Sequence, residues 1–127
     1  MRNSSVLQFL VISVCSVFLV GCGCSVTTPN PEPTAVTGTV IQKGQPVANV
    51  VLNFQPTGAG ALPAVVPLKD GKFEAQISPG RYTWYLSEGS GAESRKAFAT
   101  ISEEFQAGSL DRQIDVEPGK PLQLEVN

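Results

Sequence analysis

Apolar and polar residues alternate one by one over much of the chain after residue 35. A period of two is typical of β-strands that have one face in a core and the other in water, because successive side chains point to opposite faces. The clearest runs are residues 50–55, 72–77, 81–87, 110–117 and 122–127. Residues 36–41 and a weaker run over 62–68, where Pro63 and Pro67 favour an edge strand, bring the prediction to about seven strands.

Turn sequences separate these runs. Asp70-Gly71 predicts a tight hairpin, because both positions tolerate positive φ. Ser78-Pro79-Gly80 and Glu117-Pro118-Gly119 are Pro-Gly turns, and Lys43-Gly44 precedes a further short hairpin. Short strands at this spacing, each with one apolar face, predict an all-β fold: an antiparallel, Ig-like β-sandwich.

The amino-terminal residues follow a different pattern. Arg2 is the one charged side chain ahead of a mostly apolar run over residues 6–20, which is shorter than the roughly 20 residues that a membrane-spanning helix needs. A positively charged start, a short apolar middle and small residues at the end are typical of a signal peptide. The sequence therefore predicts that residues 1–21 are a leader removed on export from a bacterial cytoplasm.

The end of this leader, Leu19-Val20-Gly21-Cys22, resembles the bacterial lipobox. The resemblance implies that a diacylglyceryl group joins the Cys22 sulfur and that a signal peptidase cuts between Gly21 and Cys22. Two or more acyl chains hold a protein stably on a membrane, at about 0.8 kcal/mol per buried methylene. We therefore expect membrane lipid on Cys22 and a domain on the periplasmic or cell-surface face of the envelope. The alternatives are an ordinary cleaved signal, or an uncleaved anchor, in which Cys22 has no role.

A proline-rich segment follows the predicted anchor. Residues 22–34 are expected to link the lipid to a domain over residues 35–127. Pro29, Pro31 and Pro33 each fix their own φ and favour extended geometry in the residue before them. The composition predicts a stiff spacer, although an irregular terminus without a selected length would look the same.

Composition narrows the chemistry of the domain. The net charge is −2, so no basic surface indicates nucleic acid as a partner. No His is present, which removes the usual general base and the commonest zinc ligand. All three Cys lie at or before Cys24, which excludes a disulfide within the domain and leaves Cys24 as a free thiol, a second acylation site or a residue without a role. No catalytic motif or metal-ligand cluster is found, so we expect neither an enzyme nor a cofactor.

Several stretches resemble carboxypeptidase regulatory-like, or transthyretin-like, domains. GTVIQKGQPVANVVLNFQP (38–56) resembles the opening of those domains, with its Gly-x-Pro turn and alternating strand. LKDGKFEAQISPGRYTWYL (68–86) resembles their D-G-x-F strand, Pro-Gly turn and G-x-Y strand. ISEEFQ (101–106) and VEPGKPLQLEV (116–126) resemble the closing part of small lipoproteins of planctomycete bacteria. The resemblance covers nearly all of residues 36–127 and implies a transthyretin-like β-sandwich.

The resemblance implies structural roles for the matched residues. Gly38 allows close backbone approach, Pro46 stiffens the first hairpin, and Gly71 and Gly80 supply unusual φ angles. The matched aromatic residues fill the core: Phe54, Phe73, Tyr82 and Trp84. Ser102 stands where such proteins often carry Pro, which implies a less rigid segment around it. Some transthyretin-like proteins are hydrolases that need His, and the lack of His excludes that activity here.

Candidate contact residues lie on and beside the strand over 81–87. If Trp84 is in the core, the adjacent Tyr85 is exposed, and exposed aromatic side chains can bind glycans or proteins. Arg95 and Lys96 form an adjacent basic pair in the Gly/Ser-rich stretch 88–99, which is expected to be a mobile contact loop. Plain β-propensity of Tyr85 and plain solvent exposure of the basic pair are the alternative interpretations.

Together these features predict a lipid-anchored envelope protein that displays a non-catalytic β-sandwich as a structural or interaction module. Its partners would be envelope proteins or polysaccharide, and its oligomeric state is left open. The alternative is a carrier or receptor for a small ligand, which would need a sizeable apolar pocket.

Overall fold

A computed structural model of the chain describes residues 31–127. Its strands are β1 Thr34–Gln42, β2 Gln45–Pro46, β3 Val50–Pro56, β4 Ala64–Pro67, β5 Lys72–Ile77, β6 Gly80–Glu88, β7 Gln113–Val116 and β8 Leu122–Val126. The helix α1 (Ala92–Ala99) and a single 3-10 turn (Glu103–Phe105) lie between β6 and β7. The predicted all-β sandwich is confirmed, and the two-residue β2 is a strand beyond those predicted.

The strands form two sheets. In sheet 1, β1 pairs antiparallel with β5 and β2 and parallel with β8. In sheet 2, the order is β4-β3-β6-β7 and every pairing is antiparallel. β4, which ends at Pro67, is an edge strand as predicted. The parallel β1–β8 pairing departs from the antiparallel prediction, because alternation sets which face of a strand is buried but not which strand lies beside it.

The space between the two sheets is filled by side chains from the inward faces of the strands. The Phe54 ring packs 5.7 Å from that of Phe73 and 6.1 Å from that of Tyr82, measured between centroids. Each large apolar side chain buried in this way stabilises the fold by about 2–3 kcal/mol. The core positions predicted for the four aromatic residues are confirmed, and the most completely buried side chains are Tyr82, Phe54, Leu52, Ile77, Leu86, Val36, Val40, Val50, Val116 and Val126.

Gly38 on β1 lies between Phe73 on β5 and Leu122 on β8. The Phe73 ring crosses the position that a Gly38 side chain would occupy, and a Cβ there would also lie 2.6 Å from the carbonyl oxygen of Leu122. Only glycine allows this approach, as the resemblance implied.

Two predicted turns have the expected backbone. Asp70 and Gly71 have φ angles of 52° and 72°, which both belong to the tight hairpin that the dipeptide predicts. Lys69 and Lys72, on either side, exchange two backbone hydrogen bonds of 2.9 Å. The hairpin therefore places these two lysines directly opposite each other on one face. Gly80 has a φ of 155°, which favours glycine.

Two local predictions are wrong. The stretch 88–99 was expected to be a loop, but it contains α1, which is held by a 2.6 Å hydrogen bond from the Gly89 amide to Ser94 Oγ. The last strand of sheet 2 begins at Gln113 rather than at residue 110, and Leu110 is 71% exposed instead of buried.

Arg112 accounts for the late start of β7. Its guanidinium lies over the rings of Trp84 and Phe105, at 5.2 and 4.5 Å from their centroids. It also donates hydrogen bonds to three backbone carbonyls, those of Trp84 (3.2 Å), Glu104 (2.8 Å) and Ala107 (2.6 Å). These bonds hold the chain ahead of β7 in an irregular path that a strand could not follow.

Candidate interaction surfaces

The predicted acylation site does not fall within the described part of the chain. Gly21, Cys22 and most of the proposed spacer lie outside residues 31–127. Within those residues, no helix is both long and apolar enough to cross a membrane.

Tyr85 lies on the outer face of sheet 2. Its inward neighbours on β6, Trp84 and Leu86, are buried, whereas Tyr85 is half-buried. Register places Asn53 beside Tyr85 and Val65 beyond Asn53. Asn53 Nδ2 donates to Ser87 Oγ at 2.8 Å, so this face holds an ordered amide next to the aromatic ring. Tyr85 points outward as predicted but is half-buried rather than exposed, and its role in binding stays a prediction.

Arg95 and Lys96 lie on α1 rather than on a loop. Their side chains are 77% and 78% exposed, and each has an acidic neighbour. Arg95 Nε lies 3.4 Å from Glu88 Oε1, and Lys96 Nζ lies 3.9 Å from Glu93 Oε1. Tyr85 lies on β6 and the basic pair on α1, and no hydrogen bond among the described residues links Tyr85 to either basic side chain.

A first surface depression, of about 830 Å³, lies on the outer face of sheet 2. Two of its charged residues form an ion pair, with Arg81 Nε 2.9 Å from Asp115 Oδ1. This hydrogen bond and the attraction of the carboxylate raise the pKa of Arg81. The third charged residue, Glu117, pairs with Lys120. Gln113 Nε2 donates to the Leu110 carbonyl at 2.8 Å, and Thr57 Oγ1 to the Arg81 carbonyl at 3.2 Å. The polar side chains of this depression are therefore largely occupied by bonds within the domain.

A second depression, of about 660 Å³, lies on the outer face of sheet 1 and is called here the sheet-1 groove. Its floor is formed by Thr37 and Thr39 on the central strand β1. Register places Lys72 on one side of Thr39 and Gln123 on the other, and Glu74 beside Thr37. Lys69, Asp70, Pro67 and Pro121 complete its rim.

Sequence analysis missed this groove. The alternation does show that Lys72 and Glu74 point outward, but it cannot show that Thr39 and Gln123 lie beside them. The register between β1, β5 and β8 supplies that information.

The titratable groups inside the fold are structural. Burial raises the pKa of Tyr82, whose hydroxyl donates to the Ser78 carbonyl at 2.7 Å. Burial lowers the pKa of Arg112, while the nearby Glu104 carboxylate acts in the opposite direction. Over residues 31–127, no group of three His, Cys, Asp or Glu side chains is arranged to hold a metal ion.

Comparison with protein families finds no family model that matches the chain, and none of the curated proteins matches it. Among solved structures, a DUF3823 family protein from Parabacteroides merdae is similar, with a TM-score of 0.52 and 21% sequence identity. The match covers 76% of this chain and 46% of that protein, so the chain spans less than half the length of its structural neighbour. The similarity shows a shared β-sandwich fold.

Proposed function

We propose that this chain is a lipid-anchored protein of a bacterial cell envelope, which displays a carboxypeptidase regulatory-like β-sandwich as a non-catalytic interaction module. The observation that carries the proposal is the position of Cys22, directly after Gly21 and at the end of a short apolar run. That position provides a small residue at the cleavage point and a thiol at the membrane surface. If extended, the residues between Cys22 and Thr34 would span up to about 40 Å, which lets the domain stand clear of the lipid headgroups.

The fold supports a binding role rather than a carrier role. A small-ligand carrier needs a pocket of a few hundred Å³ or more inside or between its layers. In the described part of the chain, buried apolar side chains from both sheets occupy the space between the sheets. The two depressions described above lie on the outer faces of the sheets, where a larger partner has access.

The absence of His from the whole sequence supports a non-catalytic role. The planctomycete-type assignment rests on the order and spacing of the motifs over residues 38–126. The similarity to the DUF3823 protein supports the coarser part of the proposal, namely the β-sandwich.

Mass spectrometry of the mature amino terminus tests the anchor. We expect an amino-terminal peptide that begins at Cys22 and carries two or three acyl chains. Cys22→Ser should abolish acylation and cleavage, whereas Cys24→Ser, two residues away, is the matched control and should leave both intact. An unmodified mature terminus at Ser25, or an intact Met1 terminus, would contradict the proposal.

Cross-linking in intact envelopes, followed by affinity purification of the acylated protein, tests the interaction role. We expect an envelope protein or polysaccharide to be recovered with the chain. Recovery of the chain alone would contradict an interaction module while leaving the anchor in place.

A further inference from the structure

We propose that the sheet-1 groove binds a saccharide that carries a carboxylate, with the carboxylate between Lys69 and Lys72. This inference deepens the proposed function, since it names the surface and the ligand class of the interaction module. It rests on a contrast between the two surface depressions and on one unfavourable arrangement of charge.

The unfavourable arrangement is the lysine pair. Lys69 and Lys72 flank the Asp70-Gly71 turn and form a directly opposed pair. Their Cβ atoms are then about 5 Å apart, and like charges directly opposite in a sheet are destabilising. Among the described residues, the two lysines have no ion-pair partner within 4 Å, although Asp70 and Glu74 line the same groove.

The neighbouring polar side chains of the groove are also unoccupied. Within residues 31–127, the side chains of Thr37, Thr39 and Gln123 form no hydrogen bond with the protein, although all three line the groove. In the depression on sheet 2, by contrast, Arg81 is paired with Asp115 and the other polar groups are bonded internally. Of these two depressions, the sheet-1 groove is thus the one whose polar side chains have no hydrogen-bond partner among the described residues.

The order of these groups indicates the ligand. One row across the sheet is Lys69, Lys72, Thr39 and Gln123, all of which can donate hydrogen bonds. The adjacent row, about 7 Å away along the strands, places the Glu74 carboxylate beside the Thr37 hydroxyl. A ligand with an anion at one end and hydroxyl groups along its length matches both rows, because Glu74 accepts hydrogen bonds from hydroxyl groups while the lysines bind the anion.

The polar side chains of the groove favour a saccharide over a membrane surface as the partner. A membrane surface needs apolar side chains that insert. The outward side chains that β1, β5 and β8 contribute to the groove are polar, and its apolar lining consists of Pro67 and Pro121 at the rim with the inward-facing Phe73 and Leu122.

The test uses the full-length protein purified from detergent-extracted membranes and three probes: polygalacturonate, its fully methyl-esterified form, and glycerol 3-phosphate. We expect binding to polygalacturonate that weakens as salt rises, and little binding to the other two. Lys69→Gln and Lys72→Gln should each raise the dissociation constant by about fivefold or more. Lys43→Gln, which removes the same charge from a different exposed turn, is the matched control and should leave it unchanged.

Two further variants make the test independent of misfolding. Asp70→Asn keeps a residue suited to this turn while it removes a negative charge, so it should tighten binding. Lys72→Gln removes the like-charge repulsion, so it should raise the unfolding temperature by about 1–3 °C while it weakens binding.

Four results would overturn the proposal: no retention by polygalacturonate, equal binding of the methyl ester, equal losses in Lys43→Gln and Lys72→Gln, or tighter binding of glycerol 3-phosphate, which would assign the groove to a phosphate group. None of these results affects acylation of Cys22, which is measured separately.

Discussion

Arg112 gives the sharpest test of how the domain is held together. Its guanidinium makes three hydrogen bonds to backbone carbonyls and stacks on Trp84 and Phe105. Arg112→Met keeps an apolar stem over the rings but removes every charged contact. Bonds from a half-buried charged donor contribute about 1 kcal/mol each and the cation–π contacts about 0.5–1 kcal/mol, so we expect a loss of about 3.5–4 kcal/mol.

Urea unfolding followed by tryptophan fluorescence measures this loss, because Trp84 is the only Trp in the chain and lies directly under the guanidinium. For a domain of this size the loss corresponds to a fall of about 15–30 °C in unfolding temperature. Arg112→Lys keeps the charge but cannot reach three carbonyls from one nitrogen, so it should lose about 2 kcal/mol. Arg95→Met removes a 77% exposed Arg that pairs with Glu88 and should cost at most about 0.5 kcal/mol.

A double-mutant cycle with Phe105→Leu separates stacking from hydrogen bonding. If the guanidinium–ring contact contributes as argued, the stability lost in the Arg112 and Phe105 double variant should be about 0.5–1 kcal/mol smaller than the sum of the two single losses. A loss below about 1 kcal/mol for Arg112→Met would refute the reasoning, because it would mean that water replaces the three bonds at no cost.

Two further predictions concern the core. Gly38→Ala should destabilise the domain by about 3 kcal/mol, because the Leu122 carbonyl cannot move away without breaking the β1–β8 pairing. The control Gly58→Ala has open space around the new methyl group and should change stability by less than about 0.5 kcal/mol. Similar urea midpoints for the two variants would contradict the packing argument. Burial raises the pKa of Tyr82, so the stabilisation from its neutral hydroxyl is complete below the ordinary tyrosine pKa of about 10 and is lost as pH rises toward the raised value. The native chain should therefore be more stable than Tyr82→Phe by a constant amount at neutral pH, and this difference should shrink above about pH 10 by at most about 1.4 kcal/mol per pH unit. Curves of stability against pH that stay parallel above about pH 10 would be inconsistent with a buried hydroxyl.

Most strands could be predicted because two simple signals agree along them. In β5, alternation sets the inward positions and turn residues mark both ends, so the prediction and the strand coincide over residues 72–77. The parallel β1–β8 pairing could not be found in this way, because it joins the first and last strands of the described domain and leaves no local signal. The strand register, which places Thr39 between Lys72 and Gln123, also depends on pairing between strands that are distant in sequence. The sheet-1 groove therefore became visible only with the structure.

The helix α1 was missed although its residues favour a helix. The sequence AESRKAFA consists mainly of good helix formers, but the preceding Gly and Ser residues favoured a loop. Ala97 and Phe98 pack against the core cluster, and this tertiary contact stabilises a helix too short to be stable alone. The role of Arg112 was missed because it occupies an inward position of the alternating run over 110–117. A charged residue at such a position breaks the apolar pattern and gives no indication that it packs on aromatic rings.

The basic residues of the domain separate into two kinds, and the sign of a stability change distinguishes them. Arg112 has its donors bound to carbonyls and its plane stacked on rings, so its removal must destabilise the fold. Lys69 and Lys72 face each other without an acidic partner among the described residues, so neutralising either should stabilise the fold by a few tenths of a kcal/mol. The ligand proposed for the groove would give this lysine pair a role that folding does not require. Unfolding curves for Arg112→Met and Lys72→Gln, measured side by side, therefore test both assignments. If Lys72→Gln lowers stability as Arg112→Met does, the lysines belong among the stabilising residues, and the physical reason for an anion between them is removed.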